Sequence, residues 1–339
     1  MPPHPPSGHQ SWSIARAIVV GIILPAFALR AQAPTLEPVR QSPPWGQVAL
    51  YNSHEYRVRS RINGQEYRIQ VALPPRYNDS STSDSTRHPV MYVLDGELEL
   101  PLMAQMFRLS NGGTDGTGAT IDRAPEQVIF VGIGTVPFGP VPAPNMQDRV
   151  RDYSPPPFPG PKPEHRNRQS EQPPAGGAPA FLRVMKEEVI PLIDKRYRTT
   201  ADRGIHGHSL GGLFVAYALF TDPEVFSRYA ITSPALWWDD ASIFLRESEL
   251  ANRATSLRKR VFLSVGALEG ADEIADVWRM LSTLCHDRAA DRFAGLQLTA
   301  EILPGEYHGS VVHFSRALKA LYPPFRADSV LMVDPCSGR

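Results

Sequence analysis

The stretch Gly204-Ile-His-Gly-His-Ser-Leu-Gly-Gly-Leu-Phe-Val-Ala-Tyr-Ala-Leu-Phe220 contains the pattern G-x-S-x-G between a short apolar strand and an apolar helical run. In that context the pattern predicts a nucleophile elbow, a strained turn that holds Ser209 at the carboxyl end of a strand. The helix that follows presents its first N–H groups to the same point, where they favour developing negative charge. The pattern alone occurs by chance in many proteins, so its position between a strand and a helix is what predicts Ser209 as a nucleophile.

A serine hydroxyl is a weak nucleophile and needs a general base, which in this arrangement follows the last strand. His308, in Pro304-Gly-Glu-Tyr-His-Gly-Ser310, follows the last predicted strand and is the predicted base. The other candidates lie too close to Ser209 along the chain or inside predicted helices: His206, His208, His286 and His313.

The acid that orients the base is expected after the strand before the last one. That position holds Val265-Gly-Ala-Leu-Glu-Gly-Ala-Asp-Glu273, and Glu269 is its first carboxylate. Glu269 is therefore the predicted acid. Asp272 and Glu273 are the alternatives, and any of the three could instead be a solvated loop carboxylate.

An oxyanion hole in such a site combines two backbone N–H groups. One is predicted from Leu210, the residue after the nucleophile. The second is predicted from Gly96 or Glu97, in the loop after the third strand. Asp95, in the same loop, either braces the loop or approaches His308.

Candidate substrate-binding residues follow other strands at the same edge of the sheet. Trp237 and Trp238 offer a flat apolar wall, although packing of their loop onto the domain explains at least one of them equally well. Arg149 or Arg151 could meet an anionic substrate, but an ion pair with Asp152 or another carboxylate is the commoner arrangement.

The rest of the chain predicts an α/β fold. Residues 55–61 and 66–73 alternate polar and apolar side chains around Asn63-Gly64, which indicates an antiparallel N-terminal hairpin. Short apolar runs then alternate with helical patterns, which is typical of a mostly parallel central sheet with helices on both faces. The predicted strands are residues 89–94, 127–132, 204–206, 227–232, 260–265 and 298–303, and the predicted helices lie near 97–110, 179–197, 210–221, 272–288 and 310–321.

Residues 1–33 predict a signal peptide or an N-terminal anchor. They contain two arginines and no acidic residue, an apolar run at 17–29 and the small-x-small sequence Ala31-Gln-Ala33. The apolar run is shorter than the ~20 residues that a membrane span needs. No stable membrane span is expected beyond this leader. The prediction is an exported protein, periplasmic or secreted.

The remaining boundaries follow from proline content and periodicity. Residues 34–46 suit a proline-rich linker, 47–325 form the predicted catalytic domain and 326–339 form a C-terminal tail. Within the domain, residues 155–179 hold nine prolines and predict an irregular insertion that is either disordered or functional.

Charge and cysteine content narrow the functional classes. The 35 basic and 35 acidic residues cancel, without the basic face expected of a nucleic-acid-binding protein. Cys285 and Cys336 could pair in an oxidising compartment or remain two thiols. Neither has neighbours at zinc-ligand spacing, so no metal is predicted.

The motif order resembles the putative-esterase family of α/β hydrolases. The resemblance rests on residues 90–96, 151–155, 191–197, 207–212, 233–238 and 305–308, and it extends over about residues 50–322. Within this family the sequence most resembles the siderophore esterases. Formylglutathione hydrolases, feruloyl and acetyl-xylan esterases and mycolyl transferases are more distant. The resemblance implies an α/β-hydrolase fold with a triad of Ser209, Glu269 and His308.

The expected activity is hydrolysis of a small-molecule carboxylic ester through an acyl-enzyme, without a cofactor. An acyltransferase would use the same triad, and a non-catalytic binding protein would keep the fold without the chemistry. A peptidase is a weaker alternative, because the chain shows no substrate-gating domain. The acyl and alcohol parts of the substrate and the oligomeric state are not predicted.

Overall fold

Nine strands form one sheet in the computed structural model, which describes residues 37–38, 50–78, 85–110, 127–136, 144–159, 174–322 and 334–337. The strands lie in the order β1-β2-β3-β5-β4-β6-β7-β8-β9. Their bounds are β1 Glu37–Pro38, β2 Ser53–Arg59, β3 Glu66–Ala72, β4 His88–Leu94, β5 Ile129–Thr135, β6 Thr199–His208, β7 Arg228–Thr232, β8 Arg260–Gly266 and β9 Gln297–Leu303.

The predicted antiparallel hairpin and parallel sheet are both confirmed. Strand β2 pairs with β3 antiparallel, and Gly64 in the turn between them has a positive φ of 73°. Strand β3 pairs with β5 antiparallel, while β4 to β9 pair with one another parallel. The carboxyl ends of six parallel strands therefore meet at one edge, which is where loops that carry a site converge.

Helices cover both faces of the sheet, as predicted. Their bounds are α1 Gly96–Ser110, α2 Met146–Tyr153, α3 Ala178–Arg183, α4 Ile190–Arg196, α5 Leu210–Thr221, α6 Trp238–Ala241, α7 Ile243–Arg253, α8 Ala271–Ala289 and α9 Val312–Leu321. A π-helical segment, Val184–Val189, joins α3 to α4.

Alternation along the central strands divides the core into two parts. Tyr92 and Leu94 of β4 face one hydrophobic cluster, while Met91 and Val93 face the other. The first cluster contains side chains of α3, α4, α5, α7 and α8, and the second contains those of α1 and α9. Because both faces of the strands are buried, the strands appear in the sequence as continuous apolar runs.

Several elements differ from the prediction. The sequence predicted neither α2 nor α7, and β6 begins five residues earlier than residue 204. Within the predicted linker, β1 pairs with β2. The predicted leader lies outside the described residues, as do most of the linker and tail and residues 160–173 of the insertion.

Cys285 and Cys336 form a disulfide bond that ties the segment at 334–337 to α8. Arg288 on the same helix pairs with Asp334 at 2.8 Å. The sequence left open a disulfide or two separate thiols, and the structure contains the disulfide. Among the described residues, no helix has both the length and the apolar character needed to cross a bilayer.

A buried carboxyl pair between α7 and α8 predicts a pH-dependent stability. Glu247 is 2% exposed, and burial together with the hydrogen bond and charge of Asp287 raises its pKa from 4.5 to about 8. Between these two values the folded protein keeps a proton that the unfolded chain has lost. The free energy of unfolding should therefore fall with rising pH by up to about 1.4 kcal/mol per pH unit and level off above pH 8.

Urea unfolding of Glu247→Gln at pH 5 to 9 measures this contribution. The glutamine does not titrate, so the variant should gain stability relative to the parent as pH rises from 5 to 8. Glu249→Gln, which replaces an exposed carboxylate on the same helix, is the control and should follow the parent. If all three stability curves run parallel, Glu247 does not hold the extra proton.

Candidate active site

Ser209 lies in a tight turn between β6 and α5, as the elbow motif predicts. Its backbone has φ 59° and ψ −119°, and its N–H donates to the carbonyl of Thr232 at 3.1 Å. A Cβ atom at Gly207 would lie 2.3 Å from the carbonyl oxygen of Gly211, so only glycine fits there. At Gly211 the nearest atom would be 3.6 Å away, so the second glycine is not required by space in the same way.

Glu269 and His308 meet at the same edge of the sheet. Glu269 follows β8, His308 follows β9, and these strands are neighbours. The Glu269 Oε2 atom lies 2.7 Å from Nδ1 of His308, so the structure brings the predicted acid and base into a hydrogen bond. Asp272 and Glu273, the alternative acids, instead lie in the first turn of α8.

The charges of this pair suit a general base and its orienting acid. Burial favours the protonated form of Glu269, but hydrogen bonds from His308, Ser233 and the Gly266 N–H lower its pKa to about 2. The hydrogen bond to Glu269 raises the pKa of His308, against the opposing effect of burial. A carboxylate that stays ionised in this way can stabilise an imidazolium.

The elbow and the His308 loop are in contact through His208. Its ring centroid lies 4.7 Å from that of His308, and it immediately precedes Ser209. Burial lowers the pKa of His208 well below its ordinary value, so it is neutral there. His308, the predicted base, thus lies directly beside the residue that precedes Ser209.

The other histidines are committed elsewhere, which agrees with the choice of His308. His206 is fully buried, with Nδ1 3.0 Å from Glu99 and Nε2 3.2 Å from the hydroxyl of Thr232. His313 is buried on α9, and His286 lies on α8 beside Arg292.

Two helix N-termini converge where the oxyanion hole is predicted. Gly96 begins α1 after β4, Leu210 begins α5 after β6, and these two strands are adjacent. The first N–H groups of a helix have no partner within it. Gly96 and Glu97 both lie in this first turn of α1, so either can supply the second donor. A Cβ at Gly96 would lie 2.6 Å from the backbone of Gly132, which requires glycine there.

Arg149 and Asp95 form a brace within the site. The Arg149 guanidinium donates to both carboxylate oxygens of Asp95 at 2.9 Å and to the carbonyl of His208 at 3.2 Å. It therefore connects the loop after β4 to the elbow. Of the two positions predicted for Asp95, the structure shows the bracing one, and the guanidinium of Arg149 is already paired.

The remaining predicted substrate residues differ in accessibility. Arg151 pairs with Asp148 at 2.5 Å and with Asp152 at 2.7 Å, the structural arrangement that its sequence also allowed. Trp238 is 4% exposed and belongs to the core, whereas Trp237 is 38% exposed. Of the two tryptophans, Trp237 is the one that a substrate can reach.

Sequence reasoning missed the residues that hold the Glu269 carboxylate in place. The Ser233 hydroxyl and the Gly266 N–H both donate to Oε1 of Glu269 at 2.6 Å. Nε2 of His313 lies 3.3 Å from that hydroxyl. A signal was present, because Ser233 directly follows β7 just as Glu269 follows β8, and polar residues at this edge face the site.

Metal binding at this site would compete with existing hydrogen bonds. Glu269, Glu273 and His308 present possible ligand atoms within 4.8 Å of one another, and they are the one such group in the part of the chain that the structure describes. The facing atoms of Glu269 and His308 already bond each other, and Glu273 accepts from the N–H of Gly270 at 3.1 Å. The expectation of no metal stays a prediction.

This chain is similar to known proteins in both sequence and fold. Residues 60–308 match the model of a family described as putative esterase. The ferri-bacillibactin esterase BesA of Bacillus subtilis is 28% identical over 278 residues, which cover 78% of this chain and 88% of that protein. A siderophore enterobactin esterase of Emericella nidulans is 28% identical over 202 residues, covering 58% of this chain and 61% of that protein.

Solved structures show the same architecture. The BES protein from Bacillus cereus superposes with a TM-score of 0.65 at 26% identity, over 84% of this chain and 99% of that one. An IroE-like serine hydrolase from Shewanella oneidensis gives a TM-score of 0.61 at 25% identity, over 79% and 78% of the two chains.

Proposed function

Because this chain belongs to the putative esterase family and is a carboxylic ester hydrolase, we propose that it acts through an acyl-enzyme on Ser209. His308 is the general base and Glu269 the acid that orients it. The observation that carries the proposal is the 2.7 Å hydrogen bond between Glu269 and His308 beside the Ser209 elbow.

The proposed reaction has two steps. Ser209 Oγ attacks the ester carbonyl carbon while Nε2 of His308 takes the hydroxyl proton. The N–H group of Leu210 and that of Gly96 or Glu97 stabilise the oxyanion, and the alcohol leaves with the proton from His308. Water then attacks the acyl-enzyme by the same route, and the acid product leaves.

Siderophore-type aryl or acyl esters are the proposed substrates. The curated relatives are named for esterase activity on ferri-bacillibactin and enterobactin. In this chain, large apolar side chains lie next to both members of the dyad. Leu268 precedes Glu269 and is 68% exposed, and Tyr307 precedes His308 and is 62% exposed. Together with Trp237 they supply apolar surface for an aromatic or acyl group.

We also propose that the protein is exported, to the periplasm or the medium. The Cys285–Cys336 disulfide supports this, because disulfides persist mainly in oxidising compartments.

A substrate panel with a mass-spectrometric trap tests the proposed function. We expect the protein to hydrolyse p-nitrophenyl butyrate and a ferric catecholate triester, and rapid acid quenching should trap an acyl group on the peptide containing Ser209. An added alcohol acceptor should not divert most of the acyl group. Transfer to that acceptor as the main outcome would instead identify an acyltransferase, and lack of turnover on both esters would contradict the proposal.

A further inference from the structure

Glu269 is held by more than its bond to His308. Its side chain is 1% exposed, and its Oε1 atom accepts two hydrogen bonds of 2.6 Å, from the Ser233 hydroxyl and from the N–H of Gly266. Hydrogen bonds to a carboxylate are short and strong when the acceptor is ionised. Ser233 is thus one of two groups that determine where the other oxygen, Oε2, points.

Ser233 itself is held in an unusual conformation. It is buried at the end of β7 with φ 40°, and its N–H donates to the carbonyl of Ser264 at 2.8 Å. A non-glycine residue in this region carries backbone strain that persists only where the surroundings enforce it. The strained turn aims the hydroxyl at Glu269.

His313 completes the arrangement from α9. It is fully buried, with Nε2 3.3 Å from the Ser233 hydroxyl and Nδ1 2.9 Å from the Ser264 hydroxyl. Because Ser233 gives its proton to Glu269, its oxygen accepts from Nε2–H of His313. Nδ1 then accepts from Ser264, so one neutral tautomer satisfies both contacts.

The geometry points to Ser233, supported by His313, as a positioning residue that sets the direction and basicity of Glu269 and thereby of His308. The inference rests on the proposed function of this dyad. Ser233 touches neither the nucleophile nor the reacting carbonyl in the proposed reaction, and it acts through the acid.

Replacement of Ser233 by alanine or glycine should lower kcat for p-nitrophenyl butyrate by about 10- to 100-fold, with KM nearly unchanged, because the dyad loses its alignment. Glycine adopts φ 40° without strain and should melt at a higher temperature than alanine. If both variants lose kcat equally although their melting temperatures differ, the loss comes from the position of Glu269 and not from unfolding. Ser154→Ala is the control, since it removes a buried hydroxyl that bonds only backbone groups at Val150 and Gly176.

The pH profile of kcat/KM gives a second readout. The hydrogen bond to Glu269 is the main cause of the raised pKa of His308. Misalignment of Glu269 in the variants weakens that bond, so the pKa of His308 falls and the acidic limb should move to lower pH. The charged and titratable groups that face His308 stay unchanged in the variants: Glu269, Glu273, Arg149, His208 and His313.

The kcat values and pH profiles of the variants are compared with those of the parent protein on p-nitrophenyl butyrate. The inference is wrong if both variants keep kcat within about twofold of the parent and an unchanged acidic limb, while the parent shows turnover that depends on Ser209. A parent without such turnover would instead contradict the proposed function. His313→Phe, which removes the donor to Ser233, should show a smaller defect in kcat and a shift of the acidic limb in the same direction.

Discussion

Replacing Ser209 with alanine is expected to lower kcat for p-nitrophenyl butyrate by about 10⁴-fold or more, because no other group can form the acyl-enzyme. The serine lies at the end of β6 with φ 59°, where the first N–H groups of α5 can stabilise the oxyanion. Steady-state kinetics of the purified parent and variant measure the effect, and a fluorophosphonate probe should label the parent alone.

The variant should keep its fold, because alanine differs from serine only by the loss of the hydroxyl and fits at the same position. Its melting temperature should stay within a few degrees of the parent's, and Ser154→Ala should retain full labelling. A Ser209→Ala protein with more than about 1% of the parent kcat would place the nucleophile elsewhere.

Replacing Glu269 with glutamine is expected to reduce kcat by about 10³- to 10⁴-fold. The amide can donate to Nδ1 of His308, which stabilises the tautomer that carries its proton on Nε2 and cannot accept the proton of Ser209. The loss should fall on kcat, because Glu269 is buried and does not contact the substrate in the proposed reaction.

Two neighbouring carboxylates provide matched controls for that variant. Asp272→Asn and Glu273→Gln change the alternative acids in the first turn of α8, and glutamine can still cap the N–H of Gly270. Both should retain kcat within about threefold of the parent. A loss in either that equals the loss in Glu269→Gln would assign the acid to that residue.

Local patterns were sufficient for the elbow and for most of the sheet. The apolar runs of β4, β5, β7 and β8 stand out in the sequence because both faces of these strands are buried. The hairpin of β2 and β3 was predicted from its alternation and from Asn63-Gly64. The eight residues of α2 were missed, because a short polar helix shows too little apolar periodicity to stand out.

The contact between Glu269 and His308 could be predicted because loops that follow neighbouring parallel strands lie side by side at the same edge of the sheet. Residues that follow β8 and β9 must appear at the same edge, and the contact between Glu269 and His308 follows from the adjacency of those strands. The same rule placed Asp95 and Arg149 at this edge. It could not show that the two bind each other, because that contact depends on the packing of α2.

The sequence by itself determined the α/β architecture, the turn around Ser209 and the meeting of Glu269 and His308 at one edge of the sheet, since each rests on local periodicity or on strand order. Tertiary structure decided the rest: the burial of Trp238, the brace of Arg149 and the support of Glu269 by Ser233 and His313. Glu269 and Ser233 are 36 residues apart, and Ser233 and His313 are 80 apart. Such contacts arise only when β7, β8 and α9 pack together, because a hydrogen bond requires its two heavy atoms to be placed to within a few tenths of an ångström, which no sequence spacing records.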